Sequence, residues 1–280
     1  MAVLLSLGHG YSAQALARRL VPAGWRVIGT VRRPEQAAAL VAAGVEPLAW
    51  PGDLAPALAA ASHVLSSVPP EAEGDPVLRA AGPALAATRH LAWVGYLSTT
   101  AVYGDHGGGL VDEATPPSPA SARGRARVAA EAAWRATGLP LRIFRLAGIY
   151  GPGRGPFAKL RAGRAQSVVK PGQVFGRIHV EDIASVLAAS MARPDSVAIY
   201  NVTDDLPAAP EAVLAHAAAL LGLPAPAEVP FETAELSEMA RSFYGENKRV
   251  RNDRIKRELG LRLAYPTYRE GLAAVLAAEG

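Results

Sequence analysis

The sequence predicts an α/β protein in which a parallel β-sheet is covered by helices on both faces. Short, fully apolar runs alternate with longer segments of helical period through the first two thirds of the chain. Fully apolar strands are typical of parallel sheets that are buried on both faces. Hydrophobic residues make up 50% of the 280 residues and charged residues only 19%, so the chain can form a large core and is not a wholly disordered protein.

The predicted strands are the short apolar runs. The first covers residues 2–7, which is too short for a helix, and it ends at Gly8. The others cover residues 25–31, 45–50, 63–68, 90–97, 141–146 and 197–202. The segments between them are interpreted as helices or loops, which is the alternation that a parallel sheet requires.

Helical spacing of apolar residues predicts the helices. Residues 12–21 place Leu16 and Leu20 on one face. Residues 34–43 have Pro34 in the first turn and are ended by Gly44. Further helices are predicted over residues 76–88, 119–137, 180–191 and 211–221, and from Asn252 to Gly260.

The chain after residue 150 has a different composition. Residues 151–176 are dense in glycine and proline, and the residues after Asp204 form a mixed stretch. The helix and strand between these two segments return to the main sheet. We therefore predict a sheet domain of residues 1–150 and 178–203, and a smaller α/β region of residues 151–177 and 204–280, hereafter the C-terminal lobe.

A glycine-rich loop connects the first predicted strand to the first predicted helix, with the sequence GHGYSA from Gly8 to Ala13. Gly8 permits a tight turn, Gly10 lets a phosphate approach the backbone, and Ala13 lets helix and strand pack closely. Free backbone N–H groups near Tyr11 and Ser12, at the positive end of the helix dipole, suit a pyrophosphate. The pattern alone also fits a tight turn, but its place in a strand–loop–helix unit favours a dinucleotide.

The end of the second strand indicates which dinucleotide. A site that prefers NAD(H) places a carboxylate there for the ribose 2′-hydroxyl, whereas this strand ends in Arg32 and Arg33. Two guanidinium groups suit the 2′-phosphate of NADP(H), although they could simply be solvated and cap the next turn. Asp53, after the third strand, would lie near the adenine or would cap the next helix. NADP(H) is therefore favoured over NAD(H).

Three further segments carry a family resemblance: LSTTAVYG at 97–104, RLAGIYGPG at 145–153 and RIHVEDIA at 177–184. Together with the glycine loop they make the chain similar to the extended short-chain dehydrogenase/reductases, which include nucleotide-sugar epimerases and dehydratases. The resemblance extends to Glu258-Leu259-Gly260 near the end of the chain. It implies a Rossmann-type doubly wound parallel sheet, a nicotinamide cofactor across the sheet, and a substrate cleft beneath a small C-terminal α/β substrate lobe.

The resemblance also implies catalytic positions, two of which have changed. The Ser or Thr position falls on Thr99, but the Tyr-x-x-x-Lys pair, counted back from Glu131, falls on Arg123 and Arg127. Arg127 could bind the ribose hydroxyls of the nicotinamide. Arg123 cannot act as the phenol does, because guanidinium does not deprotonate in proteins; it could hold an anionic substrate group or stabilise an oxyanion. The chain resembles an atypical branch of the family with an altered active site.

Another proton donor is then needed if chemistry is retained. Tyr103 and Tyr150 both follow strand ends that face the expected cleft, but each could be a structural phenol that packs its loop. His179 could also serve, although a hydrogen-bonded structural role suits it better. The favoured function is hydride transfer between NADP(H) and a small carbonyl, hydroxyl or nucleotide-sugar-like substrate, as in an oxidoreductase or an epimerase/dehydratase. The alternative is a non-catalytic sensor or regulatory protein that binds NADP(H).

The net charge of +4, from 29 basic and 25 acidic residues, is too small to imply a nucleic-acid partner. The segment 248–257 is locally basic, with six basic residues and one acidic residue. It could be a nucleic-acid or membrane patch, it could bind a phosphate-bearing substrate through Arg249 or Arg251, or it could be a solvated helix whose Ile255 and Leu259 face the core. The nucleic-acid reading is the least favoured.

The remaining observations concern location and assembly. The absence of cysteine excludes disulfides, zinc–thiolate sites and a cysteine nucleophile, and we expect no metal site. No apolar run approaches the ~18 residues of a membrane helix, and the N-terminus lacks a basic leader, so we expect a cytoplasmic protein. Alanine-rich helices at 76–88 and 119–137 would suit a homodimer, which the resemblance also makes plausible.

Overall fold

The computed structural model describes residues 1–193 and 199–279. The strands are β1 Val3–Leu7, β2 Arg26–Val31, β3 Glu46–Ala49, β4 His63–Ser66, β5 Trp93–Thr99, β6 Leu110–Val111, β7 Leu141–Leu146, β8 Gly148–Tyr150, β9 Ser167–Val169, β10 Arg177–His179, β11 Ile199–Val202, β12 Glu228–Pro230 and β13 Arg249–Val250. The helices are α1 Tyr11–Leu20, α2 Glu35–Ala42, α3 Ala55–Ala60, α4 Pro76–Ala87, α5 Ala122–Ala136, α6 Phe157–Arg161, α7 Val180–Met191, α8 Pro210–Leu220, α9 Glu238–Phe243, α10 Asp253–Leu259 and α11 Tyr268–Glu279.

A seven-stranded sheet forms the centre, in the order β3-β2-β1-β4-β5-β7-β11, and its neighbouring strands are all parallel. The strand order reverses between β1 and β4, so the connections leave these two strands in opposite directions. Ligands of such sheets bind outside the carboxyl ends of the strands at this switch point. The α/β fold class with a Rossmann-type parallel sheet, predicted from the sequence, is confirmed.

Helices cover both faces of this sheet. On one face α1 packs against α7, and α10 adds Ile255 and Leu259 to the same hydrophobic cluster. On the other face the cluster includes Leu58 of α3, Leu85 of α4 and Trp134 of α5. The predicted burial of Ile255 and Leu259 is therefore correct, and α10 packs on the sheet domain although it belongs to the predicted C-terminal lobe by sequence.

Some predicted boundaries shift for local reasons. The helix expected over residues 119–137 begins at Ala122, because the Oγ of Ser121 accepts a hydrogen bond from the Gly124 N–H at 3.1 Å and caps it. The strand expected from residue 90 begins at Trp93, where pairing with His63 starts, and continues to Thr99. Residues 197 and 198 of the last predicted sheet strand lie outside the described residues.

Segments of the predicted C-terminal lobe form a further hydrophobic cluster, and they take part in small strand pairs, two of which include strands from residues 1–150. That cluster combines residues of α6, α8 and α11, among them Phe157, Ala217 and Leu272. Parallel pairs join β9 to β12, β8 to β10 and β6 to β13. Helices α9 and α11 were not predicted. The exact division into two domains and the homodimer stay predictions. No helix in the described ranges is both long and apolar enough to span a membrane.

Candidate functional site

A cavity of about 1220 Å³ lies at the carboxyl ends of β1, β4, β5 and β7 and extends between the sheet and the C-terminal lobe. On the sheet side it is lined by six of the predicted site residues: Gly8, Gly10, Tyr11, Ser12, Thr99 and Arg127. Arg123 and Tyr150 line it as well. The structure thus brings the predicted phosphate loop and most of the predicted catalytic residues to one place.

The two glycines of the loop have different local geometry. Gly8 has a φ of +76°, and a Cβ there would lie 2.8 Å from Cγ2 of Val68; its N–H donates to the Oγ1 of Thr30 at 2.7 Å. Gly10 has an ordinary φ of −94°, and the nearest atom to a Cβ there is the Gly8 carbonyl oxygen at 3.8 Å. Gly8 therefore shapes the turn, whereas Gly10 leaves space beside the cavity.

The first turn of α1 is free of competing negative charge. Its N-cap, Gly10, has no side chain to cap the helix, and no acidic residue lies in the first turn. Ser12 is buried, and the hydroxyl of Tyr11 donates to the carbonyl oxygen of Pro152 at 2.9 Å. The space at Gly10 and the uncapped positive end of the helix together fit the pyrophosphate of a dinucleotide.

Arg32 and Arg33 follow β2 on the same side of the sheet but do not line the cavity. Both are exposed, and the Nε of Arg33 lies 3.4 Å from the carboxylate of Glu35. The carboxylate of Asp53 accepts a hydrogen bond from the Ala55 N–H at 2.9 Å, where α3 begins. Asp53 thus bonds the first residue of α3, but the N-cap of this helix is Leu54 and it has no side-chain cap.

The carboxyl end of β5 holds Thr99 and anchors Arg127. Nη1 of Arg127 donates to the Leu97 carbonyl oxygen at 2.7 Å and lies 3.1 Å from the Tyr96 hydroxyl. Burial raises the pKa of Tyr96 to about 12, so this phenol stays protonated at neutral pH. The Oγ1 of Thr99 accepts from the Ala101 N–H at 3.3 Å, which leaves the hydroxyl proton available to another acceptor.

Arg123 lies near the start of α5 and faces the C-terminal lobe. Its guanidinium carbon is 4.5 Å from the centroid of the Phe243 ring on α9. Helix α5 contains neither tyrosine nor lysine along its whole length. Arg123 occupies the position at which the family resemblance implies a tyrosine, and its guanidinium makes a cation–π contact with Phe243.

The two proposed proton donors differ in position. Tyr103 is fully buried, does not line the cavity, and donates to the Asn201 side chain at 2.7 Å. Its ring lies 4.9 Å from the guanidinium carbon of Arg145. Burial raises the pKa of Tyr103. Tyr103 therefore packs in the core, which is the structural role that was the alternative to proton donation. Its partner, Asn201, lies in β11.

Tyr150 does line the cavity, but it is 7% exposed and its hydroxyl lies 3.4 Å from the Thr267 carbonyl oxygen. Burial, together with the nearby Asp204 carboxyl, raises its pKa. His179 caps α7 by accepting from the Glu181 N–H at 3.2 Å, and burial lowers its pKa to about 4. His179 does not line the cavity, in keeping with the structural role preferred for it.

The cavity is strongly basic, which the sequence reasoning missed. Seven basic and two acidic side chains line it. Besides Arg123 and Arg127, the basic residues are Arg154, Lys159, Arg164, Arg177 and Lys248. The sequence contained an indication of this positive charge, because residues 151–176 include five basic residues and no acidic one.

The basic residues expected to hold a phosphate lie elsewhere. Arg249 donates to the Gly108 carbonyl oxygen, and Arg251 pairs with Asp253 at 2.7 Å; neither lines the cavity. Their neighbour Lys248 does, and its Nζ contacts the Gly104 carbonyl oxygen at 2.7 Å and the Glu246 carboxylate at 2.6 Å. Arg249 and Val250 form β13, which pairs with β6; Val250 lines the cavity, whereas the Arg249 side chain bonds to Gly108.

Within residues 1–193 and 199–279, no three or more histidine or carboxylate side chains group as a metal site would require. The residues at the cavity instead offer backbone N–H groups, hydroxyls and cations, which suit phosphates and polar organic groups.

Comparison with known proteins identifies a family. The profile described as the NAD dependent epimerase/dehydratase family matches residues 7–203. Protein YeeZ of Escherichia coli (strain K12) is 28% identical over 278 residues, which cover 93% of this chain and 95% of YeeZ.

Solved structures share the fold over the whole chain. A functionally unknown conserved protein from Silicibacter pomeroyi DSS is 61% identical, with a TM-score of 0.96 and 99% of each chain covered. A protein assigned as an NAD-dependent epimerase/dehydratase from Methylobacillus flagellatus is 28% identical, with a TM-score of 0.77 and coverage of 99% of this chain and 98% of the other. The human epimerase family protein SDR39U1, solved with NADPH, is 20% identical, with a TM-score of 0.80 and 99% of each chain covered, and shows the same fold.

Proposed function

The chain belongs to the NAD dependent epimerase/dehydratase family, and we propose that it is an NADP(H)-dependent enzyme that transfers a hydride to or from a carbonyl or hydroxyl carbon. The family supports a nucleotide-binding, epimerase/dehydratase-like function. The observation that carries the proposal is that Gly10, Thr99, Arg123 and Arg127 line the same cavity. Cofactor-binding and candidate catalytic groups are therefore within reach of one substrate.

The chain's residues fit a dinucleotide at the glycine loop. A Cβ at Gly10 would approach no atom more closely than the Gly8 carbonyl oxygen, at 3.8 Å, beside the uncapped end of α1, which is where a pyrophosphate would lie. Arg127 would hold the ribose hydroxyls of the nicotinamide half. When bound, the nicotinamide supplies the hydride donor or acceptor. In the cavity the Thr99 hydroxyl would orient the reacting oxygen, and Arg123 would stabilise negative charge on it or on the substrate.

The preference for NADP(H) rests on Arg32 and Arg33. No carboxylate ends β2, so the strand end lacks the acidic group that would bind a 2′-hydroxyl and repel a 2′-phosphate. Arg33 is next to Glu35, whereas no salt bridge to Arg32 is found in the described part of the chain. We expect Arg32 to contribute more than Arg33, because a neighbouring carboxylate reduces the positive field that the 2′-phosphate meets.

The substrate is proposed to carry an anionic group such as a phosphate. The seven basic side chains that line the cavity, Arg123 among them, are the groups that would bind this anion. They replace Arg249 and Arg251 in this role. A small molecule, rather than nucleic acid, is the expected partner, since the basic groups lie inside a cleft and not along an open face.

The test is a titration with NADPH and with NADH, followed by energy transfer from tryptophan to nicotinamide. The wild type is compared with Arg32→Ala, Arg33→Ala and a matched control, Arg89→Ala, an exposed arginine that precedes β5 and so lies at the amino-terminal end of the strands, away from the cavity. We expect NADPH to bind more tightly than NADH, and Arg32→Ala to reduce that preference most. Equal binding of both cofactors in all four proteins would refute the 2′-phosphate site, and no binding of either would refute the function.

One observation favours a second candidate, a non-catalytic NADP(H)-binding sensor. Helix α5 has no tyrosine or lysine, Tyr103 is buried away from the cavity, and the Tyr150 hydroxyl lies beside a backbone carbonyl. A panel of aldehydes, ketones and nucleotide sugars, mixed with NADPH-saturated protein, separates the two. Oxidation that is slowed in Thr99→Val supports the enzyme; tight binding with no oxidation by any member supports the sensor.

A further inference from the structure

Helix α9 presents an apolar face to the cavity. Met239 is 67% exposed and Phe243 is 46% exposed, yet both line the cavity, with Ala240 between them. Residues four positions apart lie on the same side of a helix. Exposed large apolar side chains that share one face of a cleft mark a surface that a ligand can cover.

The position of α9 does not depend on these two side chains. None of its six residues is buried. The Ser237 hydroxyl caps the helix by accepting from the Ala240 N–H at 3.2 Å, and Arg241 donates to the Ala234 carbonyl oxygen at 2.8 Å. Tyr244, which follows the helix, is buried and stacks on Phe231 at 4.9 Å. These contacts hold the helix and leave Met239 and Phe243 to face the cavity.

A cation lies directly beside this apolar face. The Arg123 guanidinium carbon is 4.5 Å from the Phe243 ring centroid. Among residues 1–193 and 199–279 we find no carboxylate, carbonyl or hydroxyl that pairs with Arg123. By contrast, Arg127 and Lys248 in the same cavity each contact backbone carbonyl oxygens. Arg123 is therefore a cavity cation that is available to an anion from outside the chain.

We propose that the ligand of this part of the cavity is a small organic anion with an apolar body, and that α9 selects it. Its carboxylate or phosphate group binds the guanidinium of Arg123, and its aromatic or aliphatic body packs against Met239 and Phe243. The guanidinium provides charge-assisted, bidentate hydrogen bonds, and the two side chains lose exposed apolar area when the body covers them. This inference rests on the proposed function, since it names the substrate class of the same cavity.

Binding of simple probes tests the proposal without a known substrate. Phenyl phosphate, inorganic phosphate, benzoate, acetate and benzyl alcohol are titrated by calorimetry into protein saturated with NADP⁺. We expect phenyl phosphate to bind about tenfold or more tightly than inorganic phosphate, and benzoate likewise relative to acetate, from the burial of the ring. Benzyl alcohol should bind more weakly than benzoate. The comparison of phenyl phosphate with benzoate shows which anion the site prefers.

Variants assign the two halves of the site. Met239→Ala should weaken both aryl anions severalfold and leave inorganic phosphate unchanged. Phe243→Ala also removes the ring beside Arg123, so it should weaken the aryl anions more than it weakens inorganic phosphate. Leu223→Ala, an apolar residue that is 40% exposed outside the cavity, should change nothing. Arg123→Gln should weaken all four anions but not benzyl alcohol. Thermal unfolding and NADPH titration of each variant verify that the fold and the cofactor site are intact.

Three results would overturn the inference. Aryl anions could bind no better than inorganic phosphate and acetate, or not at all. Their affinity could be unchanged in both α9 variants. The affinity for the anions could fall in Lys159→Gln and Arg164→Gln and stay unchanged in Arg123→Gln. Each of these leaves NADPH binding intact, whereas failure of the proposed function would appear as loss of NADPH binding or of turnover in the wild type.

Discussion

Arg127 of α5 donates a hydrogen bond from Nη1 to the carbonyl oxygen of Leu97, 2.7 Å away, at the carboxyl end of β5. The same nitrogen lies 3.1 Å from the Tyr96 hydroxyl. These contacts fix one side of the guanidinium and direct the half-buried side chain to the cavity. A cation that is already oriented loses little side-chain entropy when it binds a ligand.

Loss of Arg127 should therefore weaken NADPH binding. Arg127→Ala removes a charge-assisted hydrogen bond, typically worth about 1.5–3 kcal/mol, which corresponds to roughly a tenfold or larger increase in Kd. Fluorescence titration measures the change. Arg135→Ala, on the same helix but 44% exposed and outside the cavity, serves as the control. A Kd for Arg127→Ala that equals the control's would remove Arg127 from the cofactor site.

The two loop glycines should respond differently to alanine. Gly8→Ala is expected to destabilise the protein by about 1–3 kcal/mol, because φ is +76° and the new methyl meets Val68. Gly10→Ala has no such conflict, so its unfolding temperature should match the wild type, while NADPH affinity falls because the methyl group occupies the approach to the pyrophosphate. Thermal unfolding and NADPH titration of both variants provide the comparison. Unchanged affinity in Gly10→Ala would argue against a pyrophosphate at this loop.

The buried ion pair between α5 and β7 should be important for stability. Arg145 contacts the Glu131 carboxylate at 3.1 and 2.8 Å, and both side chains are at most 2% exposed. Glu131→Gln leaves the guanidinium buried without its counter-charge, and we expect a loss of about 3–5 kcal/mol in the free energy of unfolding. Arg135→Ala removes the exposed partner of the same carboxylate, at 3.2 Å, and should cost about 1 kcal/mol or less. Urea unfolding that showed similar losses for both variants would contradict this ranking.

Asp204 should make stability depend on pH. Burial raises the pKa of its carboxyl from 3.8 to about 7, against the opposing charge of Arg177. Between pH 3.8 and about pH 7 the Asp204 carboxyl is protonated in the folded protein and ionised in the unfolded chain. The stability that Asp204 contributes is therefore fully present below pH 3.8 and is lost as the pH rises to about 7. His9 and His179 act in the opposite direction, since burial lowers the pKa of each to about 4.

The contribution of Asp204 is therefore measured as a difference between the wild type and Asp204→Asn. Urea unfolding of both proteins at pH 5 and at pH 7.5 cancels the histidine effects, provided that the histidines keep their surroundings. The free energy of unfolding of the wild type, minus that of Asp204→Asn, should be smaller at pH 7.5 than at pH 5. A difference that is the same at both pH values would show that the carboxyl titrates normally in the folded protein.

The sequence by itself determined the sheet, the glycine loop and the first candidates for the site. Apolar runs and helical spacing are local patterns, and most strands of the sheet follow them because a strand buried on both faces is mainly apolar along its length. Gly8 and Gly10 could be predicted for a related reason, because ligands of a parallel sheet bind at the carboxyl ends of its strands. Thr99 and Arg127 were predicted from the family resemblance, which placed them by the segment 97–104 and by counting back from Glu131.

Only the tertiary structure decided which side chains face the cavity. Tyr103 and Tyr150 both follow strand ends, but Tyr103 finds Asn201, which is 98 positions away, and is buried. Lys248 reaches the cavity while its neighbour Arg249 bonds to Gly108. The direction of each side chain depends on strand pairing and packing between segments that are far apart in the chain, and a local pattern carries no information about such contacts.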